Sequence, residues 1–148
     1  MSLVYKLSGK LYDFLDNTFE QKRYTKIRTA MLKNLRGTIL DAGCGTGRNF
    51  PYYSEKATVI GVDNSLPMLS QAQQRLRKNI KIERMNLTRL EFEDNTFDAI
   101  VATFVLCVMP EKIQRKALKE LIRVAKPEAQ LYFLEYVYSQ KLFKIIKL

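Results

Sequence analysis

Ile39-Leu40-Asp41-Ala42-Gly43-Cys44-Gly45-Thr46-Gly47 is the stretch on which the reading of this chain turns. An apolar run beginning at Thr38 enters an acid and then three glycines at alternate positions. Glycine permits positive φ and lets a ligand approach the main chain with no Cβ in the way. A helix starting just beyond would present free N–H groups to that ligand. The stretch therefore predicts a strand passing through a tight, ligand-cradling turn into a helix. Its spacing also discriminates between ligands. A dinucleotide fingerprint G-x-G-x-x-G would need glycine in place of Arg48 if counted from Gly43, and in place of Phe50 if counted from Gly45. The pattern D-x-G-x-G-x-G fits throughout, with Asp41 two positions ahead of Gly43.

Outward from that turn, helix and strand patterns alternate. Residues 3–15 and 20–35 read as two helices, the second basic and stopped by Gly37. Thr38–Asp41 is strand one, and Arg48 to Glu55 is expected to be a short helix interrupted by Pro51. Thr58-Val-Ile-Gly-Val-Asp63 is strand two, ending on an acid. Ser65 is placed to cap a helix from Leu66 to Lys78, with Pro67 in its first turn, where a missing N–H costs little. Ile80–Met85 alternates as strand three, and Phe97–Thr103 is strand four after the turn signal Glu93-Asp-Asn95. Pro110 opens a helix to about Val124 with Ile113, Ala117, Leu118, Leu121 and Ile122 assigned to one face. Pro127 is expected to end it, followed by strand five from Gln130 to Tyr138. Strands separated by helices imply βαβ units and a parallel sheet with helices on both faces.

The residues at successive strand ends resemble the class I, Rossmann-like S-adenosylmethionine-dependent methyltransferases. The nearer likeness is to the small soluble group that includes menaquinone/ubiquinone C-methyltransferases and phospholipid N-methyltransferases. It runs from about Thr38 to Glu135. The glycine turn is its first station and Gly61-Val-Asp-Asn-Ser-Leu-Pro-Met-Leu69 its second. By this resemblance Asp63 accepts from the ribose hydroxyls, with Asn64 beside it, a task suited to a carboxylate facing two adjacent hydroxyls. Leu66 and Met68 are read as core packing or adenine-contacting surface. Arg84-Met-Asn-Leu87 is the third station. The family usually carries an acid there. Asn86 can accept from the adenine amino group and donate to the ring, and Leu87 would pack on the base. The fourth station, Phe97–Val108, resembles the family's "FDxVxxxxxLxxV" run and puts Thr103 and Phe104 at the methionine end, with Asp98 structural. The last, Arg123–Leu131, resembles "RVLKPGGxL" but has Glu128-Ala129 for two glycines, so that turn must differ locally. The resemblance implies S-adenosyl-L-methionine as cofactor. Asp41, Gly43, Gly45 and Gly47 flank its methionine moiety, and the methyl acceptor is a small or lipid-like molecule.

Composition narrows the chemistry. The chain has 148 residues, 25 Lys+Arg, 15 Asp+Glu and no His, for a formal net charge of +10. One domain is expected, with helices in 1–36, a Rossmann-like core over 37–138 and a basic, apolar tail over 139–148. Without His there is no Ser-His-Asp or Cys-His nucleophile system. Methyl transfer from a sulfonium survives that loss, because alignment of nucleophile, methyl and sulfur carries it. Cys44 and Cys107 cannot make a disulfide framework or an all-cysteine zinc site, so free thiols in a reducing cytoplasm are expected. No run approaches the ~18 apolar residues of a membrane span, and the start lacks an apolar stretch of signal-peptide length.

Residues 1–37 and 99–148 each carry a net +5, while the middle is balanced. Lys22, Arg23, Lys26, Arg28, Lys33 and Arg36 spread around the second helix, the pattern of a solvated surface. Peripheral contact with an anionic membrane is compatible with it. A nucleic-acid partner is compatible with the charge but not favoured, since Thr103-Phe-Val-Leu106 stands where an N-P-P-[YF]-type tetrapeptide would be. Tyr5 and Tyr12 are candidates for touching cofactor or substrate. The family's sheet normally has seven strands and this chain stops just after the fifth, so a truncated or naturally minimal version is expected, and an S-adenosylmethionine-binding module without independent catalysis is the alternative to an enzyme. Strand five, 131–138, would then stand at an open edge. It would pair with a second copy as a homodimer or be covered by Leu142, Phe143, Ile145 and Ile146 of the tail.

Overall fold

The computed structural model describes residues 24–136. A helix, α1, covers residues 24–32. The remaining elements are β1 (Gly37–Ala42), β2 (Ala57–Asp63), α2 (Leu66–Ala72), β3 (Ile80–Arg84), β4 (Phe97–Thr103), α3 (Glu111–Val124) and β5 (Ala125–Leu134). The five strands form one parallel sheet in the order β3-β2-β1-β4-β5. This is the doubly wound α/β arrangement expected from the alternation of patterns.

The strands read as continuous apolar runs because both faces of the sheet are covered. Alternate residues of each strand serve opposite layers. Leu40, Val62, Ile100 and Ala102 pack with Ala117, Leu121 and Val124 of α3 on one face. Ile39, Val59, Ala99 and Val101 pack with Leu32, Phe50, Leu69 and Ala72 on the other. β1 sits at the centre, its last four residues buried, paired with β2 on one side and β4 on the other.

Several boundaries differ from expectation, each for a local reason. The helix expected over Arg48–Glu55 is a single 3-10 turn, Phe50–Tyr52, because Pro51 occupies its first turn and the chain must reach β2 within a few residues. Ser65 sits at the N-cap of α2 without a side-chain capping bond. Its backbone N–H instead donates to Asp63 at 2.8 Å. The helix itself stops at Ala72 and tightens into a 3-10 turn over Gln73–Arg75. On α3 the buried stripe is Ala117, Leu121 and Val124, while Ile122 is 63% exposed and does not share their face.

α3 runs directly into β5, with Pro127 inside the strand and not at the helix end. Phe97 pairs with Ala125 but Ala99 pairs with Gln130, so Lys126–Ala129 bulge out between two registers. That bulge is how the chain manages without the glycines: among the described residues Asn95 and Phe104 are the non-glycine residues of positive φ, and Ala129 is not one of them. A proline on an edge strand forfeits no ladder bond. Among the described strands β5 stands at the sheet's edge, and it ends at Leu134, short of the expected Tyr138. Asp98 is structural, accepting the Thr38 N–H and the Lys126 ammonium, each at 2.7 Å. Cys44 and Cys107 are both free. Among the described residues no helix is long and apolar enough to cross a membrane, and no group of His, Cys, Asp or Glu could hold a metal ion. The expected first helix with Tyr5 and Tyr12, the cations Lys22 and Arg23, and the tail lie outside the described residues.

Candidate functional site

From β1 the chain steps outward to β2 and β3, then returns to the other side of β1 for β4 and β5. At such a switch point the loops leaving β1 and β4 diverge to opposite faces and open a crevice beyond the strand ends, the usual ligand site of open α/β sheets. A cavity lies there, with Gly43, Gly45, Asn49, Asp63, Thr103 and Phe104 among its lining residues.

The glycine turn forms the wall after β1. Gly43 has φ +69°, and a Cβ on it would collide with the Val105 side chain from β4's loop. Gly45 has φ +55° and open space where a Cβ would stand, so its main chain is bare toward the cavity it lines. The turn is tied to β2 twice. The Cys44 N–H donates to the Val62 carbonyl at 2.9 Å, and the Gly45 N–H donates to Asp63 Oδ2, also at 2.9 Å. Asp63 Oδ1 accepts from Ser65. Burial raises the Asp63 carboxyl above its ordinary value, against the lowering effect of these backbone donors. Each carboxylate oxygen keeps a further lone pair for a ligand hydroxyl.

Behind the turn lies a buried polar cluster. Asn49 Nδ2 donates to Asp41 Oδ1 at 3.0 Å and to the Thr103 hydroxyl at 3.2 Å. Its Oδ1 accepts from Arg28 Nη1. Asp41 is fully buried, and its second oxygen and the nearby Tyr53 hydroxyl have no hydrogen-bond partner among the described residues. Burial pushes the Asp41 carboxyl up to about 6, against the lowering effects of the Asn49 hydrogen bond and the Arg28 charge. The same burial raises the Cys44 thiol, so it is a poor nucleophile at neutral pH.

The wall after β4 is held from β5. Phe104 has φ +55°, an unfavourable region for an aromatic residue. Its N–H donates to the Leu134 carbonyl at 2.8 Å. The Glu135 carboxylate accepts the next three N–H groups, from Val105 at 3.2 Å and from Leu106 and Cys107 at 3.0 Å. The Phe104 ring stacks on Tyr136 with centroids 4.7 Å apart and meets Tyr24 edge-on at 5.0 Å. The two tyrosine hydroxyls share a hydrogen bond of 2.9 Å, which joins α1 to the end of β5 beside the cavity.

Of the residues expected at the site, Gly43, Gly45, Asp63 and Thr103 line this cavity. Gly47 is outside the lining, and a Cβ on it would collide with the Phe50 ring. Asp41 sits beneath Asn49 and outside the lining. Asn64 is exposed after β2, and its carbonyl accepts from Arg84 Nε at 3.2 Å. Asn86 Oδ1 accepts the N–H and hydroxyl of Thr88, each at 2.9 Å, and Leu87 belongs to the core. Neither Asn86 nor Leu87 is in the lining. Sequence reading missed Arg28, Asn49 and Glu135. Its place among the cations of a basic helix predicts a solvated side chain, yet Arg28 is 4% exposed. Tyr24, Arg28, Leu32 and Leu35 recur at helical spacing and are all buried, a stripe that marks Arg28 as inward-facing.

Comparison with known proteins places this geometry. A family model described as a methyltransferase domain matches residues 39–128. Phosphatidylethanolamine N-methyltransferase of Cereibacter sphaeroides is 30% identical over 137 residues, covering 88% of this chain and 66% of that protein. Demethylmenaquinone methyltransferase of Lactiplantibacillus plantarum is 40% identical over 106 residues, covering 66% of this chain and 44% of that protein. The chain thus spans 44–66% of the length of these relatives. The crystal structure of a SAM-dependent methyltransferase from Aquifex aeolicus superposes with a TM-score of 0.73 at 26% identity, covering 91% of this chain and 77% of that one.

Proposed function

Because this chain belongs to the methyltransferase domain family, in its class I Rossmann-like form, we propose that its cavity binds S-adenosyl-L-methionine and that the whole protein transfers the methyl group to a small-molecule or lipid-like acceptor. The observation that carries the reading is the closure of the glycine turn by Asp63. One carboxylate holds the Gly45 N–H and keeps spare lone pairs beside a bare stretch of main chain.

The residues present suit the cofactor. Asp63 would accept from the ribose hydroxyls, with Asn64 following it. Gly43, Gly45 and Gly47 would let the amino-acid end lie against the main chain, above Asp41 and beside Thr103. Asn86 and Leu87 are proposed for the adenine end, where the loop after β3 would have to turn toward the ligand. Bound there, S-adenosyl-L-methionine supplies an electrophilic methyl on a sulfonium. The protein's task is then orientation, which can be worth about 7–11 kcal/mol of the barrier. The acceptor class follows the two relatives, whose names specify a phospholipid amine and a quinone precursor.

Titration calorimetry with S-adenosyl-L-methionine and then NAD tests the cofactor. Micromolar-range binding of the first alone is expected, weakened by Asp63→Ala. Equal binding of NAD, or an unaffected variant, would overturn the assignment. Methyl transfer by the full-length protein to quinone, amine and phospholipid acceptors then tests the acceptor class.

A further inference from the structure

We propose that Asn49 is the positioning residue of this site: it carries the influence of the buried Asp41 carboxylate to the cavity wall and holds the Arg28 guanidinium where the charged amino-acid end of the ligand docks. This rests on the reading of the cavity as an S-adenosyl-L-methionine site. Asn49 is 2% exposed yet lines the cavity, so it stands between the solvent-free interior and the ligand. One amide joins three elements: β1 through Asp41, β4 through Thr103 and α1 through Arg28.

The orientation of that amide is fixed by chemistry. Its NH2 faces a carboxylate and a hydroxyl, while its oxygen faces a guanidinium. Turning it over would set oxygen against carboxylate and N–H against cation, losing a charge-assisted bond on each side. Asp41 therefore dictates which way Asn49 points, and Asn49 dictates where Arg28 rests. Arg28 also lies over the Phe104 ring, its guanidinium carbon 5.9 Å from the centroid. A planar cation at a cavity wall, bonded to Asn49 and lying over Phe104, is suited to a ligand carboxylate. Asp41 itself lies outside the lining, so its charge reaches the ligand only through this amide.

The test compares two probes on the same protein. S-Adenosylhomocysteine carries the amino-acid end, whereas methylthioadenosine shares the nucleoside and lacks that end. In Asn49→Ala, affinity for S-adenosylhomocysteine should fall by roughly 10–100-fold, the scale of a lost charge-assisted contact, and affinity for methylthioadenosine by less than about threefold. Asn49→Ser, which keeps a small hydroxyl in the buried position, should show the same selectivity if the alanine variant does not fold. Arg28→Met should reproduce the selective loss, and adding Asn49→Ala to it should cost no more than about twofold further, since both act through one contact. Equal weakening of both probes, or additive losses, would overturn the positioning role while leaving the cofactor assignment intact. Failure of the unmodified protein to bind either probe would overturn the cofactor assignment and this inference with it.

Discussion

Asp63 Oδ2 accepts the backbone N–H of Gly45 at 2.9 Å, so the acid that ends β2 also fixes the apex of the turn that follows β1. The side chain has two duties, one to the fold and one to the proposed ribose contact. Asp63→Ala should therefore lower both stability and ligand affinity. The unpaired Gly45 and Ser65 N–H groups should cost about 1–3 kcal/mol in thermal or urea unfolding. Affinity for S-adenosylhomocysteine should fall by roughly 10–100-fold, as expected for losing a charged acceptor. Asp63→Asn keeps one acceptor oxygen and should fall between. Full retention of affinity in the alanine variant would confine Asp63 to the fold.

Gly43 and Gly45 both have positive φ, yet their surroundings differ, and alanine should separate strain from access. In Gly43→Ala the new methyl would meet the Val105 side chain. The left-handed strain of about 1–2 kcal/mol then adds to a collision, and the melting temperature should drop sharply. Gly45→Ala carries the strain alone, because nothing lies within 4 Å of its Cβ position. Its loss of stability should be smaller and its loss of ligand affinity larger in proportion, since the methyl would occupy ligand space. The comparison needs only a melting curve and a calorimetric titration for each variant.

The buried Asp41 carboxyl, raised from 3.8 to about 6, makes a pH prediction with a defined sign. Its folded-state value lies above its unfolded one, so the folded protein takes up the proton first as pH falls. The stability linked to this group is present below about pH 4 and is lost as pH rises through about 6, by about 3 kcal/mol in all. Asp98 and Glu120, whose values are lowered, act in the opposite sense and mask the effect in the wild type alone. Asp41→Asn isolates it. The variant's stability minus the wild type's should grow by up to about 3 kcal/mol between pH 4 and pH 7 in urea unfolding. A flat difference would mean that Asp41 stays ionised throughout.

The strands, their order of appearance and the glycine turn were legible in the sequence because each is set by local rules. A strand covered on both faces must be apolar throughout, and a turn needing positive φ selects glycine. What was not legible depends on residues far apart in the chain. Ser65 has the side chain of a helix cap, but Asp63 takes its N–H. Ile122 fits a helical face on paper, and only the packing of α3 on β4 and β5 decides that Leu121 turns inward. Arg28 lies on a helix rich in cations, and its burial depends on meeting Asn49 across a gap of 21 residues. Glu135 carries no motif at all. Its role exists only because β5 ends beside the loop that leaves β4.

That last pairing yields a readout independent of any ligand. Glu135 accepts three consecutive N–H groups, and burial together with its hydrogen bond and negative charge lifts the Cys107 thiol to about 11. Glu135→Gln removes the charge and replaces one acceptor oxygen by an NH2 that cannot accept. At least one of the three N–H groups is then left unsatisfied, at a cost of about 1–3 kcal/mol. The thiol should titrate nearer its ordinary value, because the charge opposing its ionisation is gone, while burial keeps it above 9. In a Cys44→Ser background, which leaves Cys107 as the sole thiol, alkylation by iodoacetamide at pH 8 should accelerate several-fold over the parent. Phe104 and Val108 flank the three gripped amides and line the cavity, so slackening here should also disturb the wall after β4. Unchanged alkylation with unchanged stability would show that the Glu135 carboxylate does not hold this loop in solution.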